Sequence, residues 1–582
     1  MLSTMHDIPL SIARILTYGS QIHGNTTVTS CDNGSKETTT FAEIGARAAA
    51  LAHALRSELN VTDDQRVGTF MYNCAEHLES FFAVTCMGAV FNPLNKQLMD
   101  DQLQHIINHA EDQVIIADPR LAHKLSAILE HCPGVRAVVF IGVGSLDAAI
   151  ATLPDGVAGY SYEALIDGHP STFPWPVLPE KTAAVLCYST GTTGAPKGVV
   201  YSHRSIYLHS MNLCTTDSFA VTHGVPFLCC VPIYHVLSWG IPIAAFMCGA
   251  PLVFPGSDVS APALAAIIAT THPRVATGVP TLWISLMVHY INNPPERMSL
   301  TEIFAGGSPV PPILIKLWEE RYGVDVIHIW GMTETSPIGT VARPPSGVSG
   351  EARWNYRISQ GRFPASMEYR VVNDGEVVAS TDRNQGEIQV RGNWVTASYY
   401  HSPADVEGGL AHTFRGDNID DALEKFTPDG WLRTGDVGSV TKDGFLTIED
   451  RARDVIRSGG EWIYSVQLEN LIMESSRVVE AAVIGYSDEK WGERPLAVTV
   501  LHAHVEPNRD TAEILRDGLR EKLPSWMLPE YWTFVDSIDK TSVDKFDKKD
   551  LRKHLADGDF EVIKLRGPGA VSYTHLRAHE TG

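Results

Sequence analysis

The apolar positions of the chain alternate between two spacings. Phe41 to Leu59 places alanine and leucine at helical intervals. Val67-Gly-Thr-Phe-Met-Tyr72 is a run of strand length, and Ala75 to Met87 returns to an apolar helix. Val114-Ile-Ile-Ala117 and Val135 to Val143 read as strands with a helix between them. Such alternation predicts an α/β fold with mainly parallel sheets covered by helices. From Gly361 the texture changes. Met367 to Val372, Glu387 to Val390 and Phe445 to Ile448 are short alternating strands and suggest a small β-barrel-like subdomain. Beyond residue 456 come a helix over Val466–Met473, strands over Val478–Gly485 and Leu496–Leu501, and an amphipathic helix over Thr511–Leu523. These suffice for a small α+β domain. His401 to Pro428 is polar with little pattern and reads as a surface excursion.

At 582 residues the chain exceeds one ordinary core. We expect a large domain over 1–449, a linker over 450–455, a small mobile domain over 456–565 and a tail over 566–582. The net charge of −22 argues against nonspecific binding to nucleic acid. Nine cysteines lie between Cys31 and Cys248 with no CxxC pair, which reads as reduced thiols. The start lacks the basic and apolar regions of a signal peptide. The longest apolar run, Ile241 to Phe254, is about 14 residues and is broken by Pro242, Gly249 and Pro251, too short to span a bilayer. The expected location is cytoplasmic. Peripheral membrane contact and a homodimer stay open.

The chemistry centres on Ser189-Thr190-Gly191-Thr192-Thr193-Gly194-Ala195-Pro196-Lys197-Gly198, between apolar runs Thr182–Cys187 and Val199–Tyr201. Glycines let backbone approach a ligand, and hydroxyl and amide groups suit phosphate oxygens. Lys197 adds a point charge. A Walker-type loop has glycine immediately before its lysine and a helix behind it. Here Pro196 precedes the lysine and a strand follows. Gly306-Gly307-Ser308 ends another strand, where ligands sit in open α/β sheets. Val326 to Trp330 runs into Gly331-Met332-Thr333-Glu334-Thr335. Gly430-Trp431-Leu432-Arg433-Thr434-Gly435-Asp436 and Asp450-Arg451-Ala452-Arg453 follow in turn.

Together these motifs resemble those of the adenylate-forming enzymes: acyl-CoA synthetases, luciferases and peptide-synthetase adenylation domains. The resemblance covers about residues 30 to 560 and is nearest the medium- and long-chain fatty acyl-CoA ligases. It implies ATP, Mg2+ and CoA as partners of a fatty acid. Residues 189–194 and Lys197 would hold phosphate. Gly306, Gly307, Ser308, Gly331 and Met332 would line the adenine pocket, with Trp330 stacked on the ring. Thr333 would bind phosphate and Glu334 the Mg2+. Asp436 would accept the ribose hydroxyls, and Arg451 would contact the nucleotide. Arg453 takes the hinge position. Ser458, Gly459, Gly460 and Trp462 fall where CoA binds. Trp239, in Ile233-Tyr-His-Val-Leu-Ser-Trp239, takes the place of an acyl gate, with His235 assigned to catalysis. Lys545 aligns with the lysine that bridges carboxylate and α-phosphate. Asp544 stands where the family usually has glycine, which implies a working but slowed adenylation step. Alternatives are a ligase for aryl or other small acids, a luciferase-like oxygenase, or a silent acyl-adenylate binder. Val571 to Gly582 has no apolar periodicity. It resembles a translated sequencing-adapter read, is expected to be non-native and disordered, and is set aside.

Overall fold

The computed structural model describes residues 1–582 apart from 2, 33, 143–145, 190–194, 382–383, 402–424, 459–460, 541–545 and 566–582. Most of the polar excursion, Lys545, Asp544 and the tail therefore lie outside the described residues. The chain forms two compact units: Met1–Thr434 with Ser439–Thr447, and Gly435–Gly438 with Ile448–Gly582.

The larger unit is a mixed α/β body. Its first sheet runs in the order Ala158–Ser161, Ala137–Phe140, Asp112–Ala117, Arg66–Phe70, Val90–Pro93, Ala183–Ser189, Lys197–Ser202. Every neighbour pair is parallel except the last, a hairpin. Parallel strands covered on both faces need apolar side chains throughout, and Val114, Ile115, Ile116 and Ala117 are all fully buried. Helix Phe41–Ser57 covers this core. Thr40 and Glu43 close its start with a reciprocal capping box.

The second sheet places Phe227–Cys229, Val275–Gly278, Glu302–Ala305 and Asp325–Gly331 side by side and parallel. The antiparallel strands beyond Gly361, expected as a small β-barrel-like subdomain, are hydrogen-bonded into the path of this same sheet through Ile338–Val341. The apolar run from Ile241 divides into helix Ile241–Cys248 and strand Leu252–Phe254. Among the described residues no helix is long and apolar enough to cross a membrane. All nine cysteines are free thiols.

The smaller unit pairs Val478–Asp488 antiparallel with Gly492–Leu501, and Tyr531–Phe534 parallel to the latter. Helices Ser465–Met473 and Arg509–Leu519 contribute Leu468, Ile472, Leu515 and Leu519 to a core around Trp532.

Candidate active site

Two loops of the larger unit leave neighbouring parallel strands at their carboxyl ends. Glu302–Ala305 and Asp325–Gly331 pair in register, Ala305 opposite His328. Gly306 therefore lies against Ile329, and the loop it opens leaves the sheet at the same end as the Gly331-Met332-Thr333 loop. Gly331 has to be glycine, because a Cβ there would collide with the Pro337 carbonyl. Trp330 is buried at 7% exposure and meets Phe363 edge-on, ring centroids 6.0 Å apart.

Thr333–Thr335 is a short 3-10 turn. The Glu334 side chain is buried, and its Oε1 accepts a 2.6 Å hydrogen bond from the Tyr399 hydroxyl. Its backbone carbonyl accepts from Thr396 N–H at 2.8 Å. The Tyr201 hydroxyl donates to the Thr333 carbonyl at 2.6 Å. Ser336 donates to the Trp394 carbonyl at 2.8 Å, and the Trp394 indole donates back to Ile338 at 3.1 Å. Segment 394–400 thus clamps the turn.

The same segment touches the signature hairpin. Ser189 and Lys197 face each other across its two strands, and Ser189 Oγ donates to the Lys197 carbonyl at 3.4 Å. Tyr400 N–H donates to Gly198 O at 2.8 Å, and Lys197 Nζ lies 5.3 Å above the Tyr399 ring. Tyr399 so connects Lys197 with Glu334. Residues 190–194 at the hairpin tip lie outside the described residues. Neither Tyr399 nor Tyr400 was singled out in the sequence. Two adjacent tyrosines ahead of a polar stretch were the available signal.

Trp239 is 7% exposed within the main core. It sits in a left-handed turn: φ is +48° at Val236, +59° at Leu237, +53° at Ser238, +57° at Trp239 and +78° at Gly240. Four L-residues in succession at positive φ is a costly conformation. Asn73 anchors the approach to it, accepting from Ile233 N–H and donating to Val231 O, both at 2.8 Å. His235 begins this turn, its N–H donating to Pro232 O at 3.0 Å.

In the smaller unit Asp436 is 2% exposed and pairs with Arg451, Nη1 to Oδ1 2.9 Å. Asp450 accepts from the Ser465 hydroxyl at 2.6 Å. Burial raises the Asp450 carboxyl above its ordinary pKa. Lys548 donates to the same serine at 2.6 Å and pairs with buried Glu469 at 2.7 Å. Arg453 lies 3.9 Å from Asp454, which also holds Arg552 at 2.5 Å. Ser458 is buried, its hydroxyl accepting from Arg494 at 3.0 Å. Trp462 is half-buried beside Tyr464 and Val437. Gly459, Gly460 and Lys545 lie outside the described residues.

A cavity of about 400 Å³ lined by Arg343, Arg353, Arg357 and Arg362 opens at the amino end of Asp325–Gly331. Glu302, Glu319, Asp325 and Asp217 pair with those guanidiniums. The cavity is therefore charge-compensated and lies at the opposite end of the strand from Glu334.

A family model of the AMP-binding enzymes matches residues 20–400, and the C-terminal domain of AMP-binding enzymes matches 467–545. The chain is 36% identical over 577 residues to the medium-chain-fatty-acid–CoA ligase of Ectopseudomonas oleovorans, covering 98% of this chain and 100% of that protein. It is also 36% identical over 565 residues to the 3-methylmercaptopropionyl-CoA ligase of Ruegeria lacuscaerulensis, covering 96% and 99%. The anthranilate CoA ligase AuaEII in complex with anthranoyl-AMP shares its fold, with a TM-score of 0.79 at 23% identity, covering 95% of this chain and 99% of that one. Fold, motif order and near-complete alignment together make this chain a member of the AMP-binding, adenylate-forming enzyme family.

Proposed function

We propose that the protein is an ATP-dependent fatty acid–CoA ligase acting on medium- to long-chain acids. The end-to-end alignment with a medium-chain ligase carries this reading. A carboxylate is a poor acyl donor because oxide would be its leaving group. Its oxygen attacks the α-phosphorus of ATP, and pyrophosphate leaves with the P–O bonding pair. The CoA thiolate then attacks the acyl carbon, and AMP leaves.

This chain's residues have to position these groups and offset charge. Lys197 and the signature hairpin face the leaving phosphates. Gly306, Gly307, Ser308, Trp330, Gly331 and Met332 bound the adenine side. Thr333 donates to phosphate, Asp436 accepts the ribose hydroxyls, and Arg451 reaches the nucleotide. Lys545 bridges carboxylate and α-phosphate, and turning at Arg453 replaces it with the CoA face at Ser458, Gly459, Gly460 and Trp462. Trp239 and His235 border the acid.

Glu334 fits Mg2+. Its Oε1 is held by a neutral phenol, and Oε2 takes no hydrogen bond among the described residues. A carboxylate oxygen is the donor Mg2+ prefers. Bound there, Mg2+ would neutralise phosphate charge.

The test is acid-dependent pyrophosphate release and thioester formation across a panel of acids, with and without CoA. Preference for medium or long fatty acids supports the reading. The second reading, a ligase for small acids, is favoured by the equal identity to the 3-methylmercaptopropionyl-CoA ligase. Turnover confined to acids of that size would select it.

A further inference from the structure

Six of the nine cysteines are buried, and Cys74, Cys214 and Cys248 are half-buried. Two of those three meet. Cys214 caps the C-terminus of helix His203–Leu213, and Cys248 ends helix Ile241–Cys248. The two helices pack against each other. His209 and Leu213 of the first lie against Gly240, which opens the second. One turn further on, both sulfurs reach the same carbonyl, Ala244 O, Cys214 at 3.9 Å and Cys248 at 3.4 Å. The shared acceptor brings the two sulfurs close together, and each thiol shifts the titration of the other.

We propose that Cys214 and Cys248 form an oxidisable dithiol, a modification site that takes a hydroperoxide or a low-molecular-weight disulfide and closes to an intramolecular disulfide. Cys248 is the attacking sulfur. The neighbouring Cys214 thiol holds the Cys248 thiol below its ordinary pKa, against the opposing effect of burial. The same pairing pushes the Cys214 thiol up. With a peroxide, the Cys248 thiolate breaks the O–O bond and becomes a sulfenic acid as hydroxide leaves. The Cys214 sulfur then attacks that sulfur. The S–S bond forms, and the S–OH oxygen departs as water with the Cys214 proton. Two electrons pass from the thiols to the peroxide. With a disulfide oxidant, two successive exchanges release two small thiols.

The new bond ties helix Ile241–Cys248 to its neighbour. That helix begins directly after the left-handed turn carrying Trp239. On the proposed reading that this turn borders the acid, oxidation alters the acid KM and leaves the ATP KM unchanged.

The full chain is treated with hydrogen peroxide or, separately, glutathione disulfide, and mapped by non-reducing peptide mass spectrometry. Expected is one linked pair, Cys214–Cys248, with two of nine thiols lost and both restored by dithiothreitol. The link should be absent in C214S and C248S. Linkage elsewhere, or separate oxidation of the two sulfurs without a bond, overturns the dithiol. This result needs no assigned substrate. The kinetic arm compares oxidised wild type with C214S treated alike. A dithiothreitol-reversible change in acid KM in the wild type alone supports the coupling to the turn. A mapped disulfide with unchanged acid KM overturns the coupling while the dithiol stands.

Discussion

Glu334 in the larger unit and Asp436 in the smaller are both carboxylates withdrawn from water, at 4% and 2% exposure. Their surroundings differ. Asp436 has a guanidinium, Arg451, at 2.9 Å. Glu334 has a phenol, Tyr399, at 2.6 Å, which orients the carboxylate without cancelling its charge. A buried charge is costly unless it is paired or coordinates a metal. The comparison assigns the two acids different work. On the proposed reading, Glu334 keeps its charge for a cation, whereas Asp436, paired with Arg451 within its own unit, accepts the ribose hydrogen bonds.

Substitutions at the two acids should separate these roles. Glu334→Gln keeps the shape and removes the charge. Its single-turnover pyrophosphate release should fall on the order of 100-fold or more, as for loss of a preorganised electrostatic element. An Asp436→Asn change as severe, with an unchanged ATP KM, would erase the distinction. Asp436→Ala should instead act mainly on nucleotide binding. Hydrogen bonds to charged groups are worth about 1.5–3 kcal/mol. The ATP KM should therefore rise about tenfold or more, with 2′-deoxy-ATP penalised less in the variant than in wild type. Tyr399→Phe removes one neutral donor, worth about 1 kcal/mol, so pyrophosphate release should slow about fivefold. The Mg2+ dependence should shift in that variant, and excess Mg2+ should recover most of the rate. A defect insensitive to Mg2+ would place Tyr399 in packing alone.

A smaller effect separates the units by pH. His77, His203, His209 and His328 of the larger unit are buried, and desolvation holds their pKa values down at about 3, 4, 3 and 4. Above pH 6.5 these histidines are neutral in both states and contribute nothing. As pH falls through 6.5 the unfolded chain takes up protons that the native state refuses, so stability declines toward pH 4. Each group adds a slope of up to about 1.4 kcal/mol per pH unit. In the smaller unit His554, between Asp550 and Asp559, has its pKa raised instead. Burial raises the Glu79 and Asp112 carboxyls of the larger unit to about 7 and 8. Their proton uptake opposes that of the histidines, which outweigh them only below pH 6.5. Melting followed between pH 6.5 and 5 by proteolytic mapping should show the larger unit weakening first. Equal acid sensitivity in the two units would contradict this.

The strands and the loops at their carboxyl ends were legible because their signals are local. An apolar run followed by Gly-Gly-Ser or Gly-Met-Thr-Glu names both a strand and its end. Tyr399 was not legible. Its contact with Glu334 joins positions 65 apart, and no periodicity connects them. The left-handed turn was equally hidden, since Val236-Leu237-Ser238-Trp239 contains neither the glycine nor the asparagine that usually marks positive φ. The strands after Gly361 were recognisable as antiparallel, but their joining to the second sheet depends on pairing of Ile338–Val341 with Asp325–Gly331, which alternation cannot specify.

The central claim is that one chain runs two half-reactions, with Lys545 acting in only the first. The direct measurement follows Lys545→Ala in both: pyrophosphate release from ATP and acid, and CoA thioester formation from a supplied acyl-adenylate. Expected is a strong loss of the first with the second largely intact. Equal loss in both, or an undiminished first step, would contradict it.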